Sequence, residues 1–245
     1  KMEFIEVDEN LAEDNIEIRR IIDTEAFAGT ESLIQYFWEI RILSINIIQC
    51  SEYSIDERLS ILKRFYSKID SLKLEGDWDG LEEFFEDYSK GIFNYQEYIK
   101  ESLKVDERFS AIIGDNDIIK KIRSPRLKKY AEDYRNNILL DRNKDLYNDI
   151  TEKIEEILKD YAYVLENYLV NQIFKDLIPF NKGEDMMASV NVLINTYKLI
   201  KEYLKGRIYK SKERIMAEDV VSVIQAISKD LEHNKVLNKI INYKA

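Results

Sequence analysis

Residues 185–208 read DMMASVNVLINTYKLIKEYLKGRI, and apolar side chains recur among them at alternating spacings of four and three. Side chains at these spacings lie on one face of an α-helix. We therefore predict a long helix here that is buried on most sides. Its stripe consists of Met186, Val190, Leu193, Tyr197, Ile200 and Leu204.

A second long helix is predicted near residues 30–50, where two apolar stripes run side by side. Arg41 falls inside the second stripe, so a charge is expected in a largely buried setting. The first stripe consists of Leu33, Tyr36, Phe37, Ile40, Leu43 and Ile47, and the second of Ile34, Trp38, Ile45 and Ile48.

Glycine and proline, which interrupt helices, are scarce: the 245 residues include seven and two of them. Their scarcity predicts long helices joined by short polar connections. Helix starts are indicated at Ser54 and Asn94, which have glutamate three positions later in the spacing of a capping box, and at Ser124-Pro125.

We predict an all-α fold, a single helical bundle of about ten to twelve helices. Residues 1–28 alternate acids with Ile and Leu, without a sustained helical stripe, and are predicted to form a connector. Residues 29–245 are predicted to form the all-helical domain. Its helices are expected near residues 30–50, 54–74, 79–90, 94–102, 105–113, 116–122, 125–138, 144–160, 162–177, 185–208, 217–233 and 235–243.

The composition excludes several classes of function. A net charge of −10 argues against binding nucleic acid, whose phosphates need a basic face. The sequence has no apolar stretch that could insert into a membrane and no secretory leader. The single cysteine, Cys50, allows no intramolecular disulfide, which suits the cytosol. One cysteine and one histidine cannot build a zinc site, and we predict no metal site.

One segment matches a calcium-loop spacing. Glu75, Asp77, Asp79 and Glu86 fall at loop positions between two predicted helices. The loop should begin with Asp, and Glu82 stands where an apolar residue is expected. An acidic turn with Trp78 packed beneath it is the preferred interpretation.

Four segments, in this order, resemble the flagellin lysine-N-methylase family. The first runs from YFWEIR at residues 36–41 through Ile48-Gln49 to EYSIDERL at residues 52–59. The second is YVLENYLVNQIFKDLIPF at residues 163–180, the most distinctive of the four. NVLINTYKLIK at residues 191–201 and the stretch 220–234, which ends in Glu-His-Asn, complete the resemblance.

The resemblance implies a cytoplasmic enzyme that transfers methyl groups from S-adenosylmethionine to lysine side chains of its partner, flagellin. It also implies a Cys-rich N-terminal module holding an iron–sulfur cluster. Residues 1–28 would then connect the helical domain to that module, which this chain lacks. An alternative is a non-catalytic helical module that recognises flagellin for a Cys-rich catalytic half.

The first group of candidate site residues lies on the two long helices. Arg41 either anchors a carboxylate of the methyl donor or of the site or forms a structural Arg–Glu pair, and the structural pair is the preferred interpretation. Trp38 and Tyr197 are candidates for binding, since aromatic faces attract a sulfonium cation. Tyr197 also fits a role in the core. Glu39 is a catalytic candidate that would accept the amine's proton, although its place on the polar side favours solvation.

Two further pairs complete the candidates. Asn167 and Asn171 are one helical turn apart and share a face, where they would either line a ligand cleft or form a buried hydrogen-bond network. His233 and Asn234 close the last long helix. His233 is a catalytic candidate as a proton acceptor and Asn234 a binding candidate, and both also fit a helix-capping role.

Overall fold

A computed structural model describes residues 29–90, 95, 103, 105–140, 144–209, 215–233, 240 and 242. The prediction of an all-α bundle is confirmed. A 3₁₀ turn, Leu33–Tyr36, leads into the first α-helix, and a π-helical turn, Arg135–Leu139, continues the sixth. The α-helices are α1 Phe37–Gln49, α2 Ile55–Glu75, α3 Trp78–Ser89, α4 Glu107–Ile113, α5 Asn116–Lys120, α6 Pro125–Tyr134, α7 Lys144–Asp160, α8 Ala162–Lys175, α9 Met186–Ile208 and α10 Ala217–His233.

Local capping signals placed several helix starts correctly. The Ser54 backbone N–H donates to Glu57 Oε2 at 2.7 Å, and the Glu57 N–H donates back to Ser54 Oγ at 3.3 Å, so the capping box is complete. Ser124 caps α6 with Pro125 at its first position. Four predicted features lie outside the described residues. They are the capping box at Asn94, the helix expected near 94–102, most of the helix expected near 235–243, and the connector 1–28.

Two details of the chain path differ from the predictions. The helix expected near 30–50 begins with the 3₁₀ turn and becomes α-helical only at Phe37. A short strand, β1, spans Asn181–Glu184 between α8 and α9, where the sequence predicted no regular element. No helix among the described residues is long and apolar enough to cross a membrane.

Helix α9 lies at the centre of the bundle. Of its 23 residues, 17 are buried, and it packs against α2, α6, α7 and α10. The predicted stripe is buried throughout, from Met186 to Leu204. Burial on most sides is therefore confirmed, and it includes the charged side chains described below.

The acidic turn before α3 behaves as a helix cap. Asp77 Oδ1 accepts a hydrogen bond from the Gly80 N–H at 3.0 Å, and Trp78 packs, half-buried, against the core. The Asp77 carboxylate therefore caps the helix by binding a backbone N–H group. It agrees with the interpretation of residues 75–86 as an acidic turn.

The second apolar stripe of α1 is only partly buried, which corrects the prediction for Trp38. Trp38 is 55% exposed, whereas Ile48, near the other end of the stripe, is fully buried. Helix α1 packs against α2, α3 and α8, and this packing leaves the Trp38 end of the second stripe in solvent. Ile42, one turn after Trp38, is left 53% exposed on the same open side.

Helices α9 and α6 approach closely at Gly206. A Cβ atom at this position would lie 2.5 Å from both Cα and N of Tyr134, far inside van der Waals contact. The Asn137 side chain donates to the Gly206 carbonyl at 3.1 Å and joins the two helices at the same point. The crossing therefore requires glycine.

Replacing Gly206 with alanine should lower the free energy of unfolding by about 1–3 kcal/mol, the usual range for overpacking. Alanine favours helices over glycine by about 1 kcal/mol, so a net loss measures the clash with Tyr134. Urea denaturation followed by circular dichroism gives the value. Gln225→Ala, at an exposed position of α10, is the control and should change stability by less than about 0.5 kcal/mol. A Gly206→Ala protein of wild-type stability would contradict the tight crossing.

Candidate functional site

Arg41 is buried as predicted, but main-chain carbonyls are its partners. Its Nη2 donates to the carbonyls of Ile173 at 3.3 Å and Phe174 at 3.0 Å, at the end of α8. Its guanidinium also lies 4.8–5.8 Å from the ring centroids of Phe37, Trp38 and Phe174. Burial lowers the pKa of Arg41 from its ordinary value. Arg41 forms no ion pair within the described part of the chain, so it joins α1 to the negative end of α8.

The buried Arg–Glu pair expected at Arg41 occurs instead at Arg58. Arg58 is 4% exposed, and its Nη1 donates to Glu166 Oε2 at 2.7 Å. It also donates to the carbonyls of Ile48 at 2.8 Å and Tyr53 at 2.7 Å. One side chain thus joins α1, the turn after it, α2 and α8.

Asn167 and Asn171 share a face of α8 as predicted, but that face is exposed. The expectation of a buried amide network is therefore wrong. Helix α8 packs through its other side, with Leu165, Leu169 and Ile173 in the core. That packing turns the two amides toward solvent.

The remaining candidates do not gather at one place. Glu39 is exposed on α1, as its polar side indicated. The His233 side chain and Asn234 lie outside the described residues, although α10 does end at His233. Tyr197 is buried on α9 and lines a cavity that also contains charged side chains.

Charged side chains of α9 form one wall of a cavity of about 510 Å³. These side chains follow helical spacing, so they lie on one face of α9. The opposite wall comes from Asp56 in the first turn of α2 and from a face of α7. The α9 wall consists of Lys198, Lys201, Glu202 and Lys205, and the α7 wall of Tyr147, Asn148, Thr151 and Glu155.

Lys201 lies between two carboxylates. Its Nζ donates to Asp56 at 3.0 and 3.2 Å and to Glu155 Oε1 at 2.6 Å. The Tyr197 hydroxyl donates to Asp56 Oδ2 at 2.5 Å. Burial, and then Asp56, hold the pKa of Tyr197 well above its ordinary value, so the hydroxyl keeps its proton and remains a donor. Asp56 is therefore held from two sides.

Lys205 and Glu202 form a fully buried ion pair. Lys205 Nζ donates to Glu202 Oε1 at 2.6 Å and to the Tyr147 hydroxyl at 3.1 Å. Burial alone would lower the pKa of Lys205, but the attraction of Glu202 and Tyr147 outweighs it, and the net pKa is raised. The other carboxylate oxygen, Glu202 Oε2, is buried without a hydrogen-bond donor among the described residues. A buried carboxylate oxygen without a hydrogen bond lowers the stability of the fold unless a donor reaches it.

Lys198 is a second charged side chain without a partner on the same wall. It is only 8% exposed and forms no hydrogen bond or ion pair with another described residue. Burial lowers the pKa of Lys198, and Asp106 and Asp56 oppose that effect. Lys198 and Glu202 are four residues apart, so they project from the same face of α9. The cavity wall thus carries a cation and an acceptor oxygen that both lack a partner within the described structure.

A second cavity of about 270 Å³ adjoins the first. Asp56 and Glu155 line both cavities, so these two carboxylates stand at their boundary. The lining of the second cavity contains aromatic, aliphatic and charged side chains. Its other lining residues include Tyr53, Arg58, Leu158, Ala162 and Tyr197.

One feature of the sequence indicates this site, although it matches no known motif. Four charged residues recur at spacings of one, three and four within the long helix predicted at residues 185–208. They are Lys198, Lys201, Glu202 and Lys205. Charges on a helix that is covered on all sides must find partners or ligands. Periodicity alone does not identify those partners, because Asp56 and Glu155 come from distant segments.

The chain does not provide ligands for an iron–sulfur cluster. Such clusters are held by several cysteine thiolates, and Cys50 is the single cysteine. Cys50 is half-buried at the end of α1. The described residues also contain no group of three or more His, Cys, Asp or Glu side chains arranged to hold a metal ion.

Comparison with known proteins gives one match. The family described as "FliB lysine N-methylase C-terminal domain" matches residues 41–243. This range includes both cavities and every helix from within α1 to the end of α10. No curated protein and no solved structure matches the chain.

Replacing Lys205 with methionine should lower the free energy of unfolding by about 3–5 kcal/mol, because Glu202 would remain as a buried, unpaired charge. Adding Glu202→Gln should recover much of this loss, since the charge disappears with its partner. A double-mutant cycle in chemical denaturation measures the coupling. Lys129→Met, at an exposed position of α6, is the control and should change stability by less than about 0.5 kcal/mol. Equal losses in the single and double variants would contradict the pairing.

Proposed function

Because the chain belongs to the FliB lysine N-methylase C-terminal domain family, we propose that it takes part in methylation of flagellin lysines by S-adenosylmethionine. The first cavity is the proposed site for the methyl donor. One observation carries this assignment: Lys198 and Glu202 line the same cavity, and neither Lys198 nor Glu202 Oε2 has a partner among the described residues. The reaction would take place in the cytoplasm, where this donor is made available to bacterial enzymes.

The donor's amino-acid end fits this pair of groups. S-adenosylmethionine carries a carboxylate and an ammonium group on the same carbon atom. Lys198 would hold the carboxylate, and Glu202 Oε2 would accept a hydrogen bond from the ammonium. Charge-assisted hydrogen bonds of this kind are roughly twice as strong as neutral ones. The donor would thereby supply the partners that both side chains lack.

The size and lining of the first cavity support the same ligand. A volume of about 510 Å³ falls within the roughly 300–1,000 Å³ typical of small-molecule sites. Leu103 and Val105 provide an apolar edge on which the uncharged part of the donor would pack. No glycine loop is needed, since the site lies between helices.

The second cavity is the proposed path for the flagellin lysine. Tyr53, Leu158 and Ala162 would contact the aliphatic part of its side chain. The boundary carboxylates, Asp56 and Glu155, would meet its ammonium group. Lys201 already shows that this boundary accommodates an ammonium, since both carboxylates accept hydrogen bonds from it.

The acceptor amine must lose a proton before it can attack. Glu155 is the proposed acceptor of this proton, because its side chain is 44% exposed and only its Oε1 is bonded, to Lys201. Asp56, held by Lys201 and Tyr197, would orient the amine instead. When bound, the donor supplies an electrophilic methyl group, and the electrons of the broken sulfur–carbon bond remain on sulfur while the new nitrogen–carbon bond forms. Positioning of the two reactants would provide much of the rate acceleration.

A second candidate function is recognition of flagellin without catalysis, with the methyl transfer performed by a separate Cys-rich module that holds an iron–sulfur cluster. The exposed aromatic side chains Trp38 and Phe174 favour this alternative, since exposed aromatic residues are common at protein interfaces. It predicts that this chain binds flagellin but not the methyl donor.

Titration calorimetry of S-adenosylmethionine into the protein tests the donor site. Wild-type protein should bind the donor, and Lys198→Met and Glu202→Gln should each weaken binding about tenfold or more. The fragment 5′-methylthioadenosine, which lacks the carboxylate and the ammonium, should bind the wild type and Lys198→Met equally. Lys129→Met is the control. Absence of donor binding by the folded wild type, or unchanged affinity in both variants, would contradict the site.

The affinity for the donor should also depend on pH. The donor's carboxylate binds the charged form of Lys198, and burial lowers the pKa of Lys198. Affinity should therefore fall as pH rises through that lowered pKa, at lower pH than an exposed lysine would require. In Lys198→Met this decline should become smaller, and what remains would come from the donor's own ammonium group. The same decline in the variant would show that another group causes it.

Methyl transfer itself is measured by mass spectrometry of flagellin incubated with the donor and this protein, with and without a Cys-rich N-terminal module. Glu155→Gln should reduce the methylation rate while donor affinity changes little, because the side chain would act on the amine. Methylation at the wild-type rate in Glu155→Gln would exclude Glu155 as the proton acceptor. Flagellin binding without donor binding would support the recognition alternative.

A further inference from the structure

A separate apolar groove lies between α1 and α3, away from both cavities. Its volume is about 330 Å³, and its floor consists of Trp38, Ile42, Leu43 and Phe85. Trp38 and Ile42 are both more than half exposed, at 55% and 53%. Large apolar side chains exposed side by side are a feature of interaction surfaces. We call this surface the α1–α3 groove.

The buried guanidinium of Arg41 contacts the Trp38 ring from below the groove. The guanidinium carbon lies 5.8 Å from the Trp38 ring centroid and is itself anchored on the carbonyls of Ile173 and Phe174. On its other side, Trp38 meets the Phe37 ring edge-on, with centroids 5.2 Å apart. An exposed tryptophan that is already ordered loses little entropy when a partner covers it.

The rim of the groove is acidic. Glu39 of α1 and Glu86 of α3 line it, and α3 exposes Asp79, Glu82 and Glu83 as well. Among these, Glu86 forms a solvent-exposed ion pair with Lys90 at 2.7 Å, and Glu82 accepts a hydrogen bond from Tyr36. An exposed pair of this kind is weak, so the rim retains a negative potential.

Charge identifies the class of molecule that would cover the groove. Residues 1–28 contain nine Asp and Glu but only three Lys and Arg, so this segment would be repelled by the rim. A second copy of the chain carries a net charge of −10 and is disfavoured for the same reason. We propose that the α1–α3 groove binds a basic amphipathic segment of another protein. Its apolar side chains would pack on Trp38 and Ile42, and its lysine or arginine side chains would meet Glu39 and Glu86.

Peptide binding tests the proposal without any methyl donor, so its failure would leave the donor site unaffected. The probe is a synthetic helical peptide with leucines at i and i+4 flanked by lysines, and the comparison peptide has glutamates in place of the lysines. The protein background is Trp78→Phe, so that Trp38 becomes the sole tryptophan. The basic peptide should shift the Trp38 emission to the blue and bind more weakly as salt concentration rises. The acidic peptide should do neither.

Variants then locate the contact. Titration calorimetry should show that Trp38→Ala weakens binding of the basic peptide about tenfold or more, as expected for a central aromatic anchor. Glu39→Gln combined with Glu86→Gln should weaken it and flatten its salt dependence. Leu74→Ala, which changes an 87% exposed apolar residue at the end of α2, should have no effect.

Three outcomes would overturn the proposal. The first is absence of binding by the basic peptide, and the second is equal binding of the acidic one. The third is concentration-dependent dimerisation, seen by sedimentation and abolished by Trp38→Ala, because a second copy would then be the occupant of the groove.

Discussion

Helix α9 is buried on nearly all sides, yet it carries three lysines and a glutamate on one face. Buried charges are tolerated only where partners meet them, so neighbouring helices must bring carboxylates and hydroxyls to this face. Asp56 comes from the first turn of α2 and Glu155 from the middle of α7. The position of both helices against α9 follows from this requirement. This requirement leaves two groups unmatched within the described structure, Lys198 and Glu202 Oε2.

A comparable constraint acts on two buried arginine side chains. Arg41 and Arg58 are both buried, and each binds main-chain carbonyl groups of elements that precede or follow it. Guanidinium groups suit this role because they offer several donors in one plane. Arg58 additionally holds Glu166, whereas Arg41 stacks among aromatic rings. Trp38, which lines the α1–α3 groove, is one of the rings that Arg41 contacts, so one buried charge contributes both to the packing and to the groove.

Much of the fold could be predicted because its signals are local. The capping residues at Ser54 and Ser124 act within three positions, and helix periodicity needs only one turn to be recognised. The incorrect predictions concern which face of a helix is buried. The two stripes of α1 are about equally apolar, and the placement of α2 and α8 decided which one would be covered. Asn167 and Asn171 share a face, as spacing requires, but only packing determined that the face is exposed.

The amino-acid sequence by itself determined the helical content, most of the helix starts, the burial of α9 and the family resemblance, since each depends on neighbouring residues or on a linear motif. Tertiary structure alone decided which charged side chains form ion pairs with each other. Lys201 and Asp56 are 145 positions apart, and Lys201 and Glu155 are 46 apart. Hydrogen bonds across such separations depend on how helices pack rather than on spacing along one helix. The candidate site could therefore be located only after α2, α7 and α9 were placed together.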